Sequence, residues 1–361
     1  MGETGWIGGP GASLIRQPVF FGISCRLKAQ GRRTIDALLF QFCFVSHLVI
    51  FNPSMSEFTI NSTANSSDEG DDTPVAEAEA ASAARNIMLT IAYDGTLYKG
   101  WQVQPNGLSI QECVERAVQR LTGEKRRVFC AGRTDAGVHA LGQVANFHTD
   151  SRVPIENIRR GLQCSLPEDI TIVSAAEVAT KFHSTYSATR KRYRYVICDN
   201  DVCPPFLNRF VHRSRYHLNV EQMSSAVQHL LGTHDFRCFE TKFPNKSTSV
   251  RTIMEATIGR ISAWSPWCSA HDWQPAYGRQ YFNAERPMIV FEVMADGFLY
   301  NMVRTIVGTL LEVGRAKNPP EYLTQVIESM DRTQAGITAP ASGLYLVQVD
   351  YPEELMRSPS S

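Results

Sequence analysis

The strongest constraint on the fold of this chain is the order in which its apolar residues change spacing between residues 86 and 178. Ile87, Leu89 and Ile91 alternate with other side chains, which is typical of a strand with one buried face. Residues 109–123 then repeat apolar side chains at helical spacing. A strand, a loop, a second strand, a helix and a final strand follow. This β-α-β-β-α-β order predicts a ferredoxin-like α+β unit.

A second round of strand and helix patterns begins near residue 189. Its predicted elements are a strand over 190–199, a helix over 219–232, strands over 247–260 and 287–296, helices over 298–313 and 322–329, and a closing strand over 343–351. We therefore predict the α+β class, with two ferredoxin-like or RRM-like domains built on mainly antiparallel sheets. The first domain is expected to span residues 85–188 and the second residues 189–355. A Trp-rich stretch near residues 261–286 is predicted to be a hairpin insertion.

The first 84 residues differ in composition from the rest of the chain. Residues 55–84 carry seven acidic side chains and no basic one, whereas residues 85–361 carry 31 basic and 27 acidic side chains, a net charge of +4. The acidic segment has few large apolar residues, so it is expected to be disordered. Residues 1–54 are either an extension upstream of a true start at Met55, which predicts a cytoplasmic protein, or an organelle transit peptide. The apolar stretch at 35–51 is short for a bilayer-spanning helix, so no membrane association is expected.

Nine cysteines are scattered along the chain without a Cys-x-x-Cys pair. An odd, dispersed set of this kind is typical of reduced thiols in a reducing compartment. His229 and His234 straddle the end of a predicted helix, but no further ligand residues lie near them in the sequence. We therefore expect neither a disulfide framework nor a metal site.

A glycine-rich loop with a single carboxylate, "CAGRTDAGVHALGQVANFHT", lies between two predicted strands of the first domain. Its acid is Asp135, and an isolated acid in a loop is most simply a solvated surface group. Arg304 lies inside the apolar helix predicted over 298–313, where a guanidinium without a carboxylate partner would be very unfavourable. Two alternatives follow. Arg304 either meets an incidental acid or the surface, or it meets the loop that carries Asp135.

A basic cluster occupies residues 181–215, with eight Lys or Arg side chains against two acids. Within it, Tyr193 and Tyr195 alternate with Arg192 and Arg194, which predicts a strand with aromatic rings on one face and guanidinium groups on the other. Arginines suit phosphates and an aromatic ring suits the face of a base, so this strand favours nucleic-acid binding. The alternative is an ordinary solvated strand face.

Six sequence motifs occur in the order found in a known enzyme family. They are "YDGTLYKGWQ", "GRTDAGVHALGQVANF", "RYRYVI", "HDFRCF", "NMVRTIVGTLLEVG" and "GLYLVQVDY". Through them, residues 87–351 strongly resemble the tRNA pseudouridine synthase A family. The Arg-Thr-Asp-Ala-Gly-Val-His-Ala core is highly specific. The resemblance does not cover residues 1–84, and the Trp-rich insertion departs from the compact pattern of the family.

This resemblance implies an enzyme that isomerises uridine to pseudouridine at positions 38–40 in the anticodon stem-loop of tRNA. It implies that Asp135 is the catalytic nucleophile or base, that Tyr193 stacks on the target base, and that Arg304 pairs with Asp135. The catalytic cleft is then expected between the two domains. Such an enzyme needs no cofactor and no metal, takes tRNA as its partner, and commonly works as a homodimer.

The resemblance also implies roles for residues that hold the substrate. Arg133 corresponds to an arginine that helps to hold the flipped-out nucleotide, and Leu344 to an apolar residue that lines the uracil pocket. His139 and Arg192 are further predicted substrate contacts. Two other functions would require different residues. A non-catalytic RNA-binding module of the same fold would be expected if Asp135, Tyr193 or Arg304 were missing, and a nucleoside glycosidase would need a second catalytic carboxylate about 5–9 Å from the first.

Overall fold

The computed structural model describes residues 85–203, 205–241, 248–261 and 288–357. The expectations for residues 1–84, and for the insertion near 261–286 apart from Ile261, lie outside these residues. The described part contains ten strands and six α-helices. None of its helices is both long and apolar enough to span a membrane.

The elements follow one another along the chain largely as predicted. The strands are β1 (Arg85–Tyr93), β2 (Phe129–Cys130), β3 (His139–Thr149), β4 (Ile170–Val178), β5 (Arg190–Cys198), β6 (His212–Arg213), β7 (Gly232–Asp235), β8 (Val250–Ile261), β9 (Met288–Ala295) and β10 (Leu344–Asp350). The helices are α1 (Ile110–Thr122), α2 (Ile155–Gln163), α3 (Val220–Val227), α4 (Met302–Gly314), α5 (Tyr322–Ser329) and α6 (Glu353–Met356). The β-α-β-β-α-β order of the first part is confirmed. Strands β6 and β7 are new, because elements of two and four residues are too short to show a period.

The ten strands form a single sheet. Its main order is β4-β1-β3-β10-β5-β9-β8-β7, with β2 beside β3 and β6 beside β5. Among these strands, neighbours run antiparallel except in the pairs β3–β10 and β5–β6. The predicted α+β class with mainly antiparallel strands is therefore confirmed.

Strand β10 joins the two predicted domains, although it comes last in the chain. It runs parallel to β3, with Tyr345 opposite His139 and Leu346 opposite Ala140, and it runs antiparallel to β5 on its other side. One sheet therefore continues through both parts, and the division at residue 188 stays a prediction. Because neighbouring strands lie about 4.8 Å apart, the start of β3 and the middle of β5 are separated by only about 10 Å.

Helix α1 is closed at both ends by the residues that its sequence supplies. The Ser109 hydroxyl accepts a hydrogen bond from the Glu112 amide at 3.2 Å. The Glu112 side chain does not complete the reciprocal half of a capping box and instead pairs with Arg116 one turn later. At the other end Gly123 has φ 77°, a left-handed conformation that glycine adopts without strain.

Helix α4 is shorter at its start than the sequence predicts. It begins at Met302 and not at residue 298, because Asn301 has φ 60° and the Met302 amide bonds the Leu299 carbonyl in a turn at 3.1 Å. The helix is largely buried, and Gly308 lets it lie directly against a following loop. A Cβ atom at Gly308 would fall 1.7 Å from the Ile337 carbonyl oxygen. This close approach brings the loop carrying Ala339 beside Arg304 in the first turn of the helix.

Candidate active site

The loop that carries Asp135 connects β2 to β3, and hydrogen bonds from three parts of the chain fix it. The Thr134 carbonyl accepts from the Trp101 amide at 3.0 Å, and the Thr134 hydroxyl pairs with the Tyr93 hydroxyl at 2.7 Å. The Gln143 amide donates to the Gly132 carbonyl at 2.7 Å. These contacts come from β1, from β3 and from the segment before α1. The backbone around Asp135 is therefore set by the sheet beneath it.

A glycine outside the loop allows one of these contacts. Gly100 has φ 85°, and a Cβ atom there would lie 2.4 Å from the Thr134 carbonyl oxygen. Any side chain at this position would push the loop away and would also be strained in the left-handed region. The "YDGTLYKGWQ" motif thus supports the Asp135 loop through its second glycine, besides contributing Trp101.

Asp135 and Arg304 are 169 residues apart in the chain and form an ion pair. The Arg304 Nη1 donates to the Asp135 Oδ2 at 2.9 Å. Two further acceptors orient the guanidinium: the Asn301 Oδ1 at 2.9 Å from Nη1, and the Ala339 carbonyl at 2.7 Å from Nε. Of the two alternatives for Arg304, the structure favours the contact with the Asp135 loop. The other carboxylate oxygen, Oδ1, accepts no hydrogen bond from any described residue.

Tyr193 and Leu344 lie beside this pair on the neighbouring strands β5 and β10. Tyr193 is buried, and its ring packs edge-on against Phe298 with a centroid distance of 5.0 Å. Burial, helped by the nearby Tyr93 hydroxyl and the Asp135 charge, raises the pKa of the Tyr193 phenol well above its usual range. The hydroxyl therefore stays protonated, and it has no hydrogen-bond partner among the described residues.

A cavity of about 500 Å³ opens above these side chains. Predicted site residues on its lining are Arg133, Asp135, Tyr193, Arg304 and Leu344. They come from both predicted domains, so the cavity lies where the two halves of the sheet meet. Its volume is within the range of about 300–1,000 Å³ that is typical of small-ligand sites. The described lining includes one acid, Asp135, and four basic side chains: Arg127, Arg133, Lys191 and Arg304.

Comparison with known proteins identifies the family. A family model described as tRNA pseudouridine synthase matches residues 89–187 and 226–352. The tRNA pseudouridine synthase A of Acetivibrio thermocellus is 44% identical over 267 residues, which cover 74% of this chain and all of that protein. The protein of the same name from Thermoanaerobacter sp. strain X514 is 40% identical over 267 residues, again 74% of this chain and all of that protein. The chain belongs to the tRNA pseudouridine synthase family.

Likeness to solved structures is much weaker. The crystal structure of an archaeal box H/ACA sRNP Nop10-Cbf5 complex matches with 12% identity and a TM-score of 0.25. The match covers 62% of this chain and 53% of that one. A likeness of this size carries no weight for function.

Two predicted substrate contacts of this pseudouridine synthase family member lie away from the cavity lining. His139 is buried under Tyr345; its Nδ1 accepts from the Gly95 amide at 3.2 Å and its Nε2 bonds the Arg209 carbonyl at 2.9 Å. Burial lowers the pKa of this imidazole, despite the opposing charge of Asp94. Both ring nitrogens are occupied by the protein, so His139 serves the packing between β3 and β10.

Arg192 is the second of these residues. Alternation along β5 turns it to the opposite side of the sheet from Tyr193. There it pairs with Glu255 at 2.6 Å and with Glu292 at 3.6 Å. The neighbouring Arg194 bonds the same Glu292 at 2.6 Å. The guanidinium face of β5 is therefore present as predicted, but it is matched by carboxylates on β8 and β9 and does not border the cavity.

Two residues of the site are missing from the sequence prediction. Asn301 orients Arg304 from the turn before α4, and its own amide donates to the Thr241 hydroxyl at 2.6 Å. Lys191, counted only as part of the basic cluster, lines the cavity and donates to the Ala131 carbonyl at 2.6 Å. Asn301 lies inside the helix predicted over 298–313, so the sequence gives no signal for its role before the observed start of α4. For Lys191 the alternation of β5 is a signal, because it lies two residues from Tyr193 and on the same face.

Proposed function

We propose that this protein converts uridine to pseudouridine in tRNA, at positions 38–40 of the anticodon stem-loop. The observation that carries the proposal is the Asp135–Arg304 pair at 2.9 Å, set in a cavity beside the Tyr193 ring. Family membership supports the reaction class. The basic lining supports an anionic substrate, because four basic side chains surround a single acid among the described residues.

Asp135 is proposed as the reacting carboxylate. Its Oδ2 is held by Arg304, its Oδ1 has no partner among the described residues, and the residue lines the cavity. Two routes suit this arrangement: attack on C1′ of the ribose as the bond to N1 breaks, or addition to C6 of the ring before that bond breaks. In either route the freed uracil keeps the electron pair of the broken N1–C1′ bond, turns, and bonds to C1′ through C5. The bond from Asp135 breaks as well: C5 displaces the carboxylate from C1′ in the first route, and the N1 electron pair expels it from C6 in the second. The C5 proton then leaves to the carboxylate acting as base, and N1 of the product carries a proton, so the product is an isomer of the substrate.

The other lining residues are proposed to hold the nucleotide during this rearrangement. The target uridine must leave the base stack to reach Asp135, because the carboxylate lies inside a cavity. The Tyr193 ring offers a face for the uracil, and Leu344 an apolar wall. Arg304 stabilises the ionised carboxylate while the base covers it. Exclusion of water by the same contacts protects the detached base from loss by hydrolysis.

A glycosidase is poorly supported by the same cavity. Glycosidases generally use two carboxylates on either side of the scissile bond. Asp135 is the one acid among the described residues of the lining. A single carboxylate with a fixed arginine partner suits an isomerisation in which the same group first activates and then deprotonates the base.

We also propose that the protein acts as a homodimer and works in the cytoplasm. The cavity is large enough for one nucleotide but not for a stem-loop, so further surface must bind the rest of the tRNA. A second copy of the chain would supply such surface. Sedimentation at working concentration tests this proposal, and a species near the 40.4 kDa of one chain would contradict it.

Mapping of pseudouridine in a defined RNA tests the function itself. Purified protein is incubated with unmodified tRNA transcripts that carry uridine at positions 38, 39 or 40. We expect pseudouridine at these positions and none in matched transcripts with cytidine there. Pseudouridine only at other positions would refute the assigned target, and no pseudouridine in any tRNA transcript would refute the proposed reaction.

A further inference from the structure

Tyr186 is an exposed aromatic residue at the rim of the cavity. Tyr186 is 74% exposed to solvent, yet it lines the same cavity as Asp135. Single exposed apolar side chains are common on protein surfaces and need no explanation. Tyr186 differs from such residues in two ways: a column of rings supports it from below, and its loop is firmly held.

The ring column runs from strand β2 outward. The Phe129 and His183 rings lie 4.9 Å apart between centroids, and the His183 and Tyr186 rings lie 4.5 Å apart with an interplanar angle of 35°. His183 is half-buried and also borders the cavity. Tyr186 therefore has one face covered by the protein, while most of its surface is open to solvent.

The loop that carries Tyr186 is held on both sides of it. The Thr185 hydroxyl donates to the Cys130 carbonyl at 2.6 Å, which ties the loop to β2. The Ser184 amide donates to the buried Asn146 side chain at 2.9 Å, and the Ser187 amide donates to the His183 carbonyl at 2.9 Å. A flat surface fixed in this way loses little conformational freedom when it is covered.

The chemistry of the neighbourhood points to a nucleobase as the partner of this surface. The same cavity carries Arg127, Lys191 and Arg133, whose charges suit the phosphates on either side of a nucleotide. When a target uridine turns out of its stack, its neighbours each lose a stacking partner. An aromatic ring at the mouth of the cavity can replace that partner for one neighbour, because every base has a flat face.

We propose that Tyr186 is a stacking platform for an unpaired nucleobase adjacent to the target uridine. This second base subsite rests on the proposed function and is distinct from the space beside Tyr193 that takes the uracil. The partner is a base of the RNA substrate on the 5′ or the 3′ side of the target. Stacking of this kind should tighten binding of the stem-loop and leave the chemical step nearly unchanged.

The test combines a protein change with an RNA change. Tyr186→Ala and Tyr186→Phe are compared with the unchanged protein on anticodon stem-loops that carry, in turn, all bases or an abasic residue 5′ or 3′ of the target. Tyr216→Ala is the matched control, because Tyr216 is also exposed, at 54%, and does not line the cavity. Because Tyr186 is highly exposed, the alanine variant is expected to fold normally, and far-UV circular dichroism checks this.

With intact stem-loops we expect KM to rise about tenfold for Tyr186→Ala, with kcat within about twofold and with normal values for Tyr186→Phe. One of the two abasic RNAs should raise KM of the unchanged protein by a similar factor and should cause no further loss in Tyr186→Ala. The inference would be overturned if, with each of the two abasic RNAs, the loss from the abasic residue multiplied the loss from Tyr186→Ala. It would also be overturned if Tyr186→Ala left KM unchanged or lowered only kcat. Failure of the unchanged protein to form pseudouridine would instead refute the proposed function.

Discussion

Two aspartate–arginine pairs in this molecule use the same chemical groups in different ways. Asp199 lies at the end of β5, and its side chain is 0% exposed. It receives two hydrogen bonds from Arg260, at 2.9 and 2.7 Å, and a third from the Leu218 amide at 3.0 Å. Asp135 is 25% exposed and, among the described residues, receives one hydrogen bond, from Arg304. Both pairs join distant parts of the chain, but only Asp135 borders the cavity.

The difference separates a carboxylate that holds the fold from one that is available for chemistry. Both oxygens of Asp199 accept hydrogen bonds and its side chain is fully buried, so neither oxygen faces open space. Burial by itself raises the pKa of Asp199, but the Arg260 hydrogen bonds, the Leu218 amide and the Arg260 charge outweigh it and bring the pKa below the usual range. Asp135 keeps one oxygen without a hydrogen-bond partner among the described residues, and it lines a cavity large enough for a nucleotide. An ion pair alone is therefore not a sign of catalysis. The signs here are a carboxylate oxygen without a hydrogen-bond partner among the described residues and the cavity that Asp135 lines.

The largest expected effect comes from Asp135→Asn. Because the amide is neither a nucleophile nor a base, pseudouridine formation should fall at least about 10³-fold. The carbonyl of the new asparagine can still accept from Arg304, which also keeps its bonds to Asn301 and Ala339, so the free energy of unfolding should fall by only about 1–2 kcal/mol. Pseudouridine mapping measures the activity, and a filter-binding assay measures the affinity for tRNA. Asp201→Asn is the control, because Asp201 is 90% exposed. Equal losses of activity and of tRNA binding would argue against a catalytic role.

Asp199→Asn should show the opposite pattern. Removing the charge of the fully buried Asp199 should lower the free energy of unfolding by about 3 kcal/mol, because Asp199 no longer offsets the Arg260 charge. The folded fraction should form pseudouridine at the normal rate. Urea unfolding measures the change, and Asp150→Asn is the matched control, since Asp150 pairs with Arg126 at 2.7 Å but is 51% exposed and should change stability by less than about 0.5 kcal/mol. Similar values for the two variants would remove the distinction between buried and exposed pairs.

A smaller effect is expected when the orientation of Arg304 is disturbed. Asn301→Gly keeps the left-handed backbone at φ 60° accessible and removes the amide that accepts from Arg304. We expect kcat to fall about tenfold with little change in KM, because Asp135 would be held less firmly. Met330→Gly is the matched control, since Met330 has φ 53° and is 52% exposed. An unchanged kcat in Asn301→Gly would show that Ala339 and Asp135 suffice to orient the guanidinium.

The smallest effect is the pH dependence of the structural pair. The folded-state pKa of Asp199 is below the ordinary value of 3.8, so its stabilising contribution is complete well above that value and is lost as the pH falls through the folded-state pKa. The difference in unfolding free energy between the unchanged protein and Asp199→Asn should therefore be constant from pH 7 to pH 5 and should shrink below about pH 4. Urea unfolding at several pH values measures it. A difference that grows on acidification would mean that the assigned direction of the shift is wrong.

Periodicity in the sequence predicts most of the strands and helices, because each has a buried face long enough to repeat. It does not predict the start of α4, where a left-handed Asn301 replaces the first helical turn. Nor does it predict that β10 lies between β3 and β5, because pairing between distant strands depends on the whole sheet. The position of Arg304 in an apolar helix predicts a carboxylate partner, but the residue pattern leaves open which acid it is, and only the family resemblance implies Asp135.

To predict other residues of the site, one must know which face of a strand borders the cavity. Alternation separates Arg192 from Tyr193 but does not say which of the two borders the active site. That choice follows from the acids on β8 and β9, which take the guanidinium face. In the same way, His139 has the residue type of a substrate contact, but the amide of Gly95 and the carbonyl of Arg209 occupy both of its ring nitrogens.

Release of tritium from tRNA labelled at C5 of uridine is the most direct test of whether Asp135 is the reacting carboxylate. The C5 proton leaves only when the base has been rejoined to the ribose through carbon. The assay is run as a single turnover, with enzyme in excess, on the unchanged protein, Asp135→Asn and Asp199→Asn at a temperature where all three are folded. We expect equal rates of tritium release for the unchanged protein and Asp199→Asn, and no release above background for Asp135→Asn. Release by Asp135→Asn at the rate of the unchanged protein would contradict it.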